Sequence, residues 1–122
     1  MKKSLLLLSA LVIFTVIYGQ SKEYHTVMMR FQMYSNGNPG RDNITSRKDT
    51  IILNPNFVSI TNFEYNSHKT STFKVTSISD RVYICQMDDF ETYKVYIQEG
   101  WIVIDGYTGG QMFTKRKYLI VP

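Results

Sequence analysis

The chain has 122 residues, of which 43% are hydrophobic and 20% charged, and its formal net charge is +4. This length holds one domain, and this composition excludes a disordered or collagen-like chain. Lys2 and Lys3 belong to the export segment predicted below, so the remainder carries 12 basic against 10 acidic residues. That balance, with one short basic cluster at residues 115–117, predicts no nucleic-acid partner.

Residues 1–19 have the layout of a cleavable signal peptide. Lys2 and Lys3 form a positively charged start, and Leu5–Ile17 is an almost uninterrupted apolar run of 13 residues. A transmembrane helix needs about 20 apolar residues, so this run predicts an export signal and no membrane span after its removal. We expect cleavage near Gly19, a single domain over residues 20–122, and a periplasmic or secreted location in a bacterium.

The rest of the chain has the pattern of an all-β protein. Short segments rich in Val, Ile, Thr, Tyr and Phe are separated by Gly, Asn, Asp and Pro, and no stretch shows helical periodicity. Residues 35–48 and 66–71 are polar and predict loops. The predicted strands are Tyr24–Tyr34, Asp49–Leu53, Phe57–Tyr65, Thr72–Ile78, Arg81–Met87, Thr92–Gln98, Trp101–Gly106 and Gln111–Ile120. About seven or eight strands predict a small antiparallel meander, either a barrel or a sandwich.

Turn signals predict how neighbouring strands pair. A two-residue turn at Glu99-Gly100 places Ile97 opposite Ile102 and Lys94 opposite Asp105, so opposite charges face each other. A turn at residues 79–80 and a loop at residues 88–91 would place Ile84 opposite both Val75 and Val95, and Tyr83 opposite Tyr96. In the last strand Phe113 faces the core, but Lys115 would also point inward, so we expect a bulge or the end of the strand there. The resulting aliphatic core face consists of Val75, Val82, Ile84, Val95, Ile97, Ile102 and Ile104.

The opposite face of this meander is mixed and aromatic, and it is the candidate contact surface. Its members are Trp101, Tyr96, Tyr83, Arg81 and Gln98. Aromatic residues with arginine are typical of binding surfaces. The alternative interpretation is ordinary packing, because Tyr and Trp also favour strands.

No catalytic or metal-binding motif is recognisable in the sequence. His25 and His68 share no metal-ligand spacing, and Asp88, Asp89 and Glu91 form a turn in which acidic residues are common without any cation. Cys85 is the one cysteine, so no disulfide framework is expected, and its predicted place is the mixed face. These observations predict a protein that is not an enzyme and uses no cofactor or metal.

The leading functional hypothesis is an exported, non-catalytic binding or interaction module whose partner is an envelope protein or a glycan. The strand number and meander are similar to the architecture of the lipocalins and other calycins, although the Gly-x-Trp start of lipocalins is absent. That resemblance implies the alternative, a small carrier of an apolar ligand in its interior. An internal cavity above roughly 300 Å³ favours the carrier, whereas a filled interior with an exposed Trp101 favours the interaction module.

Overall fold

The computed structural model describes residues 21–64 and 67–122, and the predicted export segment lies outside them. The described chain is all-β and antiparallel, as predicted. None of its segments forms a helix with the length and apolarity required to cross a membrane. Its strands are β1 (Lys22–Ser35), β2 (Asn38–Pro39), β3 (Asn43–Leu53), β4 (Phe57–Glu64), β5 (Ser67–Ser79), β6 (Val82–Gln86), β7 (Glu91–Gln98), β8 (Trp101–Thr108) and β9 (Gln111–Ile120).

The sheet closes on itself, which makes the fold a barrel and not a sandwich. Every long strand pairs with its sequence neighbour, and β1 also pairs with β9, from Thr26 opposite Ile120 to Met33 opposite Thr114. Eight strands therefore form the barrel. The short β2 pairs only with the end of β1, as a hairpin extension.

Side chains fill the middle of the barrel. An eight-stranded barrel has an interior just wide enough to be packed solid or to hold one small ligand. Here a central layer is fully buried, so the interior is closed at mid-height. It includes Ile51, Val58, Phe73, Cys85, Val95, Ile102, Ile104 and Tyr118.

The predicted pairing of β7 with β8 is confirmed residue for residue. Glu99 and Gly100 have φ values of 52° and 83°, the left-handed conformation that a two-residue hairpin turn requires. Gln98 is opposite Trp101, and Lys94 is opposite Asp105. However, Asp105 forms its ion pair with Lys115, at 3.7 Å, while Lys94 lies over the ring of Tyr107.

The predicted pairings of β6 are wrong, because Ile84 is opposite Ser77 and Lys94 and not opposite Val75 and Val95. The β5–β6 turn is Asp80-Arg81 and not Ser79-Asp80, and a bulge at residue 76 then places Val75 opposite Cys85. The loop after β6 is also one residue longer than expected, so Tyr83 is opposite Val95 and not Tyr96. In consequence Ile84 faces outward, and Cys85 is completely buried in the core.

The loop after β6 is longer because Asp88 organises it. The Asp88 carboxylate accepts hydrogen bonds from the backbone N–H groups of Phe90 and Glu91, both at 2.9 Å. The acidic residues of this turn therefore have a local structural use. The extra residue reverses which side chains of β6 point into the barrel.

Of the two alternatives expected at Lys115, the strand end is wrong, because β9 continues to Ile120, and a bulge is present but lies at residue 113. The register between β8 and β9 shifts between Gly106 and Tyr107, so residue 113 is extra. This shift lets Phe113 pack against the core while Lys115 points outward beside Asp105. Gly106 allows this packing, because a Cβ there would lie 2.5 Å from Thr114 Cγ2 and 3.0 Å from Tyr93 Cε1.

Both predicted loops are largely strand. Residues 35–48 contain the short β2 and the first part of β3, and the stretch 66–71 contains the start of β5. These parts are polar because most of their residues are exposed at the end of the barrel. They pair with β1 and β4, with one bulge at residues 47–48, even though they lack an apolar alternation.

A candidate ligand-binding site at one end of the barrel

The central layer separates two open cavities, one at each end of the barrel. The first, which we call the polar end, has a volume of about 510 Å³ and lies where β4 finishes and β5 begins. The second, the aromatic end, has a volume of about 670 Å³ and lies where β3 finishes and β1 begins. Both volumes fall in the range of about 300–1,000 Å³ that is typical of small-molecule sites.

Inward-facing residues of five strands build the polar end. They alternate with outward-facing residues along each strand, so residues two apart share the cavity. The wall is apolar on the β1 side and cationic across β3, β5 and β9. The lining residues are Met29, Phe31, Arg47, Ile60, Asn62, Lys69, Ser71, Arg116 and Tyr118.

A buried ionic network supports one side of the polar end. Asp49 has a side chain with 0% exposure and accepts two hydrogen bonds from the Arg47 guanidinium, each at 2.8 Å. Asn62 Nδ2 donates a third to Asp49 Oδ1 at 3.1 Å. Arg47 and Asp49 are two apart on β3, so both face inward. A buried carboxylate with three such bonds holds its partners in a fixed geometry.

Arg116 occupies a different part of the same cavity. Its guanidinium carbon lies 5.8 Å from the centre of the Phe73 ring, a cation–π distance. Tyr118, two residues on, is 1% exposed. Burial raises the pKa of Tyr118, the charges of Arg116 and Arg47 oppose that rise, and Asp49 adds to it. The positive charges of both arginines therefore lower the pKa of Tyr118, the innermost residue of the cavity.

The aromatic end has a different lining. Tyr24, Leu53, Tyr83 and Ile97 face inward there, and Lys22, Ile78, Arg81 and Tyr96 complete the cavity. Burial raises the pKa of Tyr83, and its neighbours Tyr24 and Cys85 add to that rise. Ile78 and Ile97 are 46% and 45% exposed, so this cavity is wide open to solvent.

The structure divides the predicted contact surface into two groups. Arg81, Tyr83 and Tyr96 line the aromatic end, whereas Gln98 and Trp101 lie opposite each other at the β7–β8 turn. The side chain of Tyr83 points into the barrel and not onto the outer face. Tyr96 donates its hydroxyl hydrogen to Asp105 Oδ2 at 2.8 Å. Burial, and then Asp105, raise the pKa of Tyr96.

Trp101 stacks with an arginine that the sequence did not indicate. It is half-buried on the outer face, and the Arg30 guanidinium carbon lies 5.9 Å from its ring centre. Arg30 Nε also donates to Asp42 Oδ2 at 3.1 Å. The closure of the barrel through β1 and β9 makes this contact, and strand pairing between sequence neighbours does not reveal it.

The residues of the polar end were missed at the sequence level because they lie in the stretches predicted to be loops or next to a bulge. Arg47 and Lys69 fall within residues 35–48 and 66–71. Arg116 points inward because of the bulge at residue 113. The one local signal was the Arg47-x-Asp49 spacing, which puts opposite charges on the same face of a strand.

Comparison with known proteins identifies no relative. No protein-family model matches the chain, and neither a curated protein nor a solved structure matches it. Among residues 21–64 and 67–122, no group of three His, Cys, Asp or Glu side chains is placed to hold a metal ion.

Proposed function

We propose that the protein is a non-catalytic binding protein that carries a small molecule in the polar end of its barrel. The observation that carries this proposal is the closed eight-stranded barrel with a cavity of about 510 Å³, walled by apolar and polar side chains. Cavities of this size and mixed lining suit small ligands, since apolar contacts provide affinity and a few polar groups provide orientation.

The carrier is favoured over the interaction module by where the aromatic residues lie. The predicted contact surface needs Tyr83 and Trp101 on one outer face, but Tyr83 lies inside the barrel. Trp101 is covered in part by Arg30. A contact with an envelope protein or a glycan through Trp101 and Gln98 is the second candidate, because both retain a place on the outer face.

Binding without catalysis agrees with the state of the thiol. Cys85 lies in the closed central layer, and burial raises its pKa to about 11. A thiol with that pKa has almost no nucleophilic thiolate at neutral pH. We therefore propose no chemical step for this barrel.

Export to the periplasm or medium is part of the same proposal and rests on residues 1–19. Its test is the intact mass of the protein recovered outside the cytoplasm. We expect a chain that begins close to Gln20. A full-length chain retained in the inner membrane would contradict export with cleavage.

Ligand binding is tested with N-phenyl-1-naphthylamine, a neutral fluorescent probe of apolar cavities. We expect saturable fluorescence enhancement with the wild-type protein. Ser71→Trp adds an indole ring to the polar end and should abolish the enhancement. Thr72→Trp adds the same ring one residue on, at an exposed position on the outer face, and should leave it intact. Equal binding by both variants would place the probe elsewhere and contradict the proposal.

A further inference from the structure

We infer that the polar end recognises an anionic head group, a carboxylate or a phosphate, on an otherwise apolar ligand. Arg116 and Lys69 are its cationic contacts. This inference rests on the proposed carrier function, because it names the ligand class for the same cavity. Three observations lead to it: the charge balance of the lining, the position of Arg116, and the apolar wall beside the cations.

The cavity lining has an excess of positive charge. In the part of the chain that the structure describes, Arg47, Lys69 and Arg116 line the cavity. The one described carboxylate in contact with this group is Asp49, and it is engaged with Arg47 on both oxygens. Within the same described part, no carboxylate forms an ion pair with Lys69 or Arg116. Among the described side chains, the positive charges of Lys69 and Arg116 therefore face the cavity without an ion-pair partner.

The position of Arg116 is unfavourable for a purely structural arginine. Removing a charged group from water costs free energy unless it is paired or hydrogen-bonded. Arg116 is half-buried, beside the ring of Phe73 and next to the fully buried Tyr118. A guanidinium in this setting offers a planar fork of donors that fits a carboxylate or a phosphate. The Tyr118 hydroxyl accepts a hydrogen bond from Arg116, and a bound anion would supply acceptors for the remaining guanidinium donors.

The remaining lining fits the apolar part of the same ligand. Met29, Phe31 and Ile60 lie in the cavity with the cations, and Ile60 is 5% exposed. The central layer closes the cavity below them, so the ligand cannot pass through the barrel. The lining thus suits a short amphipathic anion and not a long-chain one.

The competing explanation is that Arg116 merely packs over Phe73. A cation–π contact of this kind stabilises the fold without any ligand. It predicts no preference between a charged and a neutral ligand of the same length. The two explanations therefore differ in what binds and not only in stability.

The experiment compares octanoate with 1-octanol by calorimetric titration of the protein as exported, residues 20–122, at pH 7. We expect octanoate to bind at least tenfold more tightly than 1-octanol, and we expect this preference to shrink as salt is raised. The titration is repeated with octyl phosphate. Tighter binding of octyl phosphate assigns a phosphate head group, and tighter binding of octanoate assigns a carboxylate.

Variants identify the cationic contacts. Arg116→Gln should weaken octanoate binding about tenfold to a hundredfold while leaving 1-octanol binding unchanged, since hydrogen bonds to charged groups are worth about 1.5–3 kcal/mol. Lys69→Gln should weaken it about two- to fivefold, because Lys69 is exposed. The matched control is Lys74→Gln on the outer face of the same strand, which should change neither ligand. If Arg116→Gln does not fold, the Lys69 variant and the salt dependence decide.

The outcomes separate the inference from the proposed function. Equal affinities for octanoate and 1-octanol, or octanoate binding that no variant weakens, would overturn the anion inference and leave the carrier intact. A protein that binds neither of these ligands, octyl phosphate nor the neutral naphthylamine probe would overturn both.

Discussion

The two ends of the barrel have the same backbone architecture but different chemistry. At the polar end the inward positions hold Arg47, Asp49, Asn62 and Arg116, and three hydrogen bonds converge on the carboxylate. At the aromatic end the inward positions hold phenol rings and aliphatic chains. Directional polar contacts therefore stabilise the polar end. Apolar packing stabilises the aromatic end, and its side chains become more exposed toward solvent.

This difference shows how a small barrel can close its core and still keep a site. The central layer provides the stability, because its side chains are removed from water on all sides. Each end is then free to take residues that packing alone would not select. Buried charge at the polar end costs stability, and such a cost is commonly found where a protein binds something.

The largest expected effect is the difference in the free energy of unfolding between a substitution in the central layer and one at the aromatic end. Ile104 has 0% exposure and Ile97 has 45%, yet both face inward on neighbouring strands. Ile104→Ala should lower the free energy of unfolding by about 2–5 kcal/mol, because it leaves a closed cavity. Ile97→Ala should cost less than about 1 kcal/mol, because water fills the space. Urea denaturation measures both, and similar losses would show that the aromatic end is packed and not open.

The second prediction compares the two ends directly. Asp49→Asn removes the charge that binds Arg47 and turns an amide donor toward other donors. The free energy of unfolding should fall by about 3 kcal/mol. This is the lower limit for breaking a buried ion pair, because Arg47 retains 24% exposure. Tyr83→Phe, at the aromatic end, should cost less than about 1 kcal/mol. Thermal unfolding of both variants tests this order, and a smaller loss for Asp49→Asn would mean that the network contributes little to the fold.

The third prediction concerns the layer that keeps the two ends apart. Burial raises the pKa of Cys85 from 9.0 to about 11, so the folded state resists its ionisation. The stability linked to this group is fully present below about pH 9 and is lost as pH rises through about 11. The loss should reach about 2–3 kcal/mol, at 1.36 kcal/mol per pKa unit. Urea midpoints measured from pH 8 to pH 11 give this slope.

Cys85→Ala is the control for that slope. The variant should be less stable at pH 8 but should lose less stability on going to pH 11. The alkaline loss due to Tyr93, whose pKa is raised to about 12 chiefly by burial, stays in both proteins. Identical slopes would show that solvent reaches Cys85 from one of the end cavities.

The fold class and one hairpin could be predicted from the sequence, because the signals that define them lie between residues close together in the chain. Glu99-Gly100 is an unambiguous turn signal, so the alternation of β7 and β8 could be aligned from it without other knowledge. Asp80-Arg81 sends the opposite signal, because arginine disfavours the positive φ of 66° that it adopts there. The sequence therefore predicts the turn one residue too early. Nothing in the composition indicates the bulge at residue 76.

The candidate site could not be predicted because it depends on contacts between distant strands. Arg47, Lys69 and Arg116 come from β3, β5 and β9, and they meet only once β1 closes the barrel with β9. Two of them lie in polar stretches that lack any apolar alternation. A rule that reads polar stretches as loops cannot recover strands whose inward face is itself polar.

The smallest expected effect concerns a turn at the aromatic end. Each two-residue turn of the described chain has two positive φ values, and Asp80-Arg81 differs from the others in lacking glycine at its second position. The other three are Asn36-Gly37, Glu99-Gly100 and Gly109-Gly110.

Arg81→Gly should raise the free energy of unfolding by about 0.5–1 kcal/mol, because relief of a left-handed backbone, worth about 1–2 kcal/mol, exceeds the entropy that glycine adds to the unfolded chain. Gly100→Arg builds the same strained arrangement at φ 83°, where a Cβ meets nothing within 4 Å. It should cost a similar amount. Urea midpoints at unchanged slope measure both. If Arg81→Gly instead destabilises the barrel, the side chain of Arg81 must hold the aromatic end together more strongly than its backbone strains it, and that end would then also depend on a charged residue.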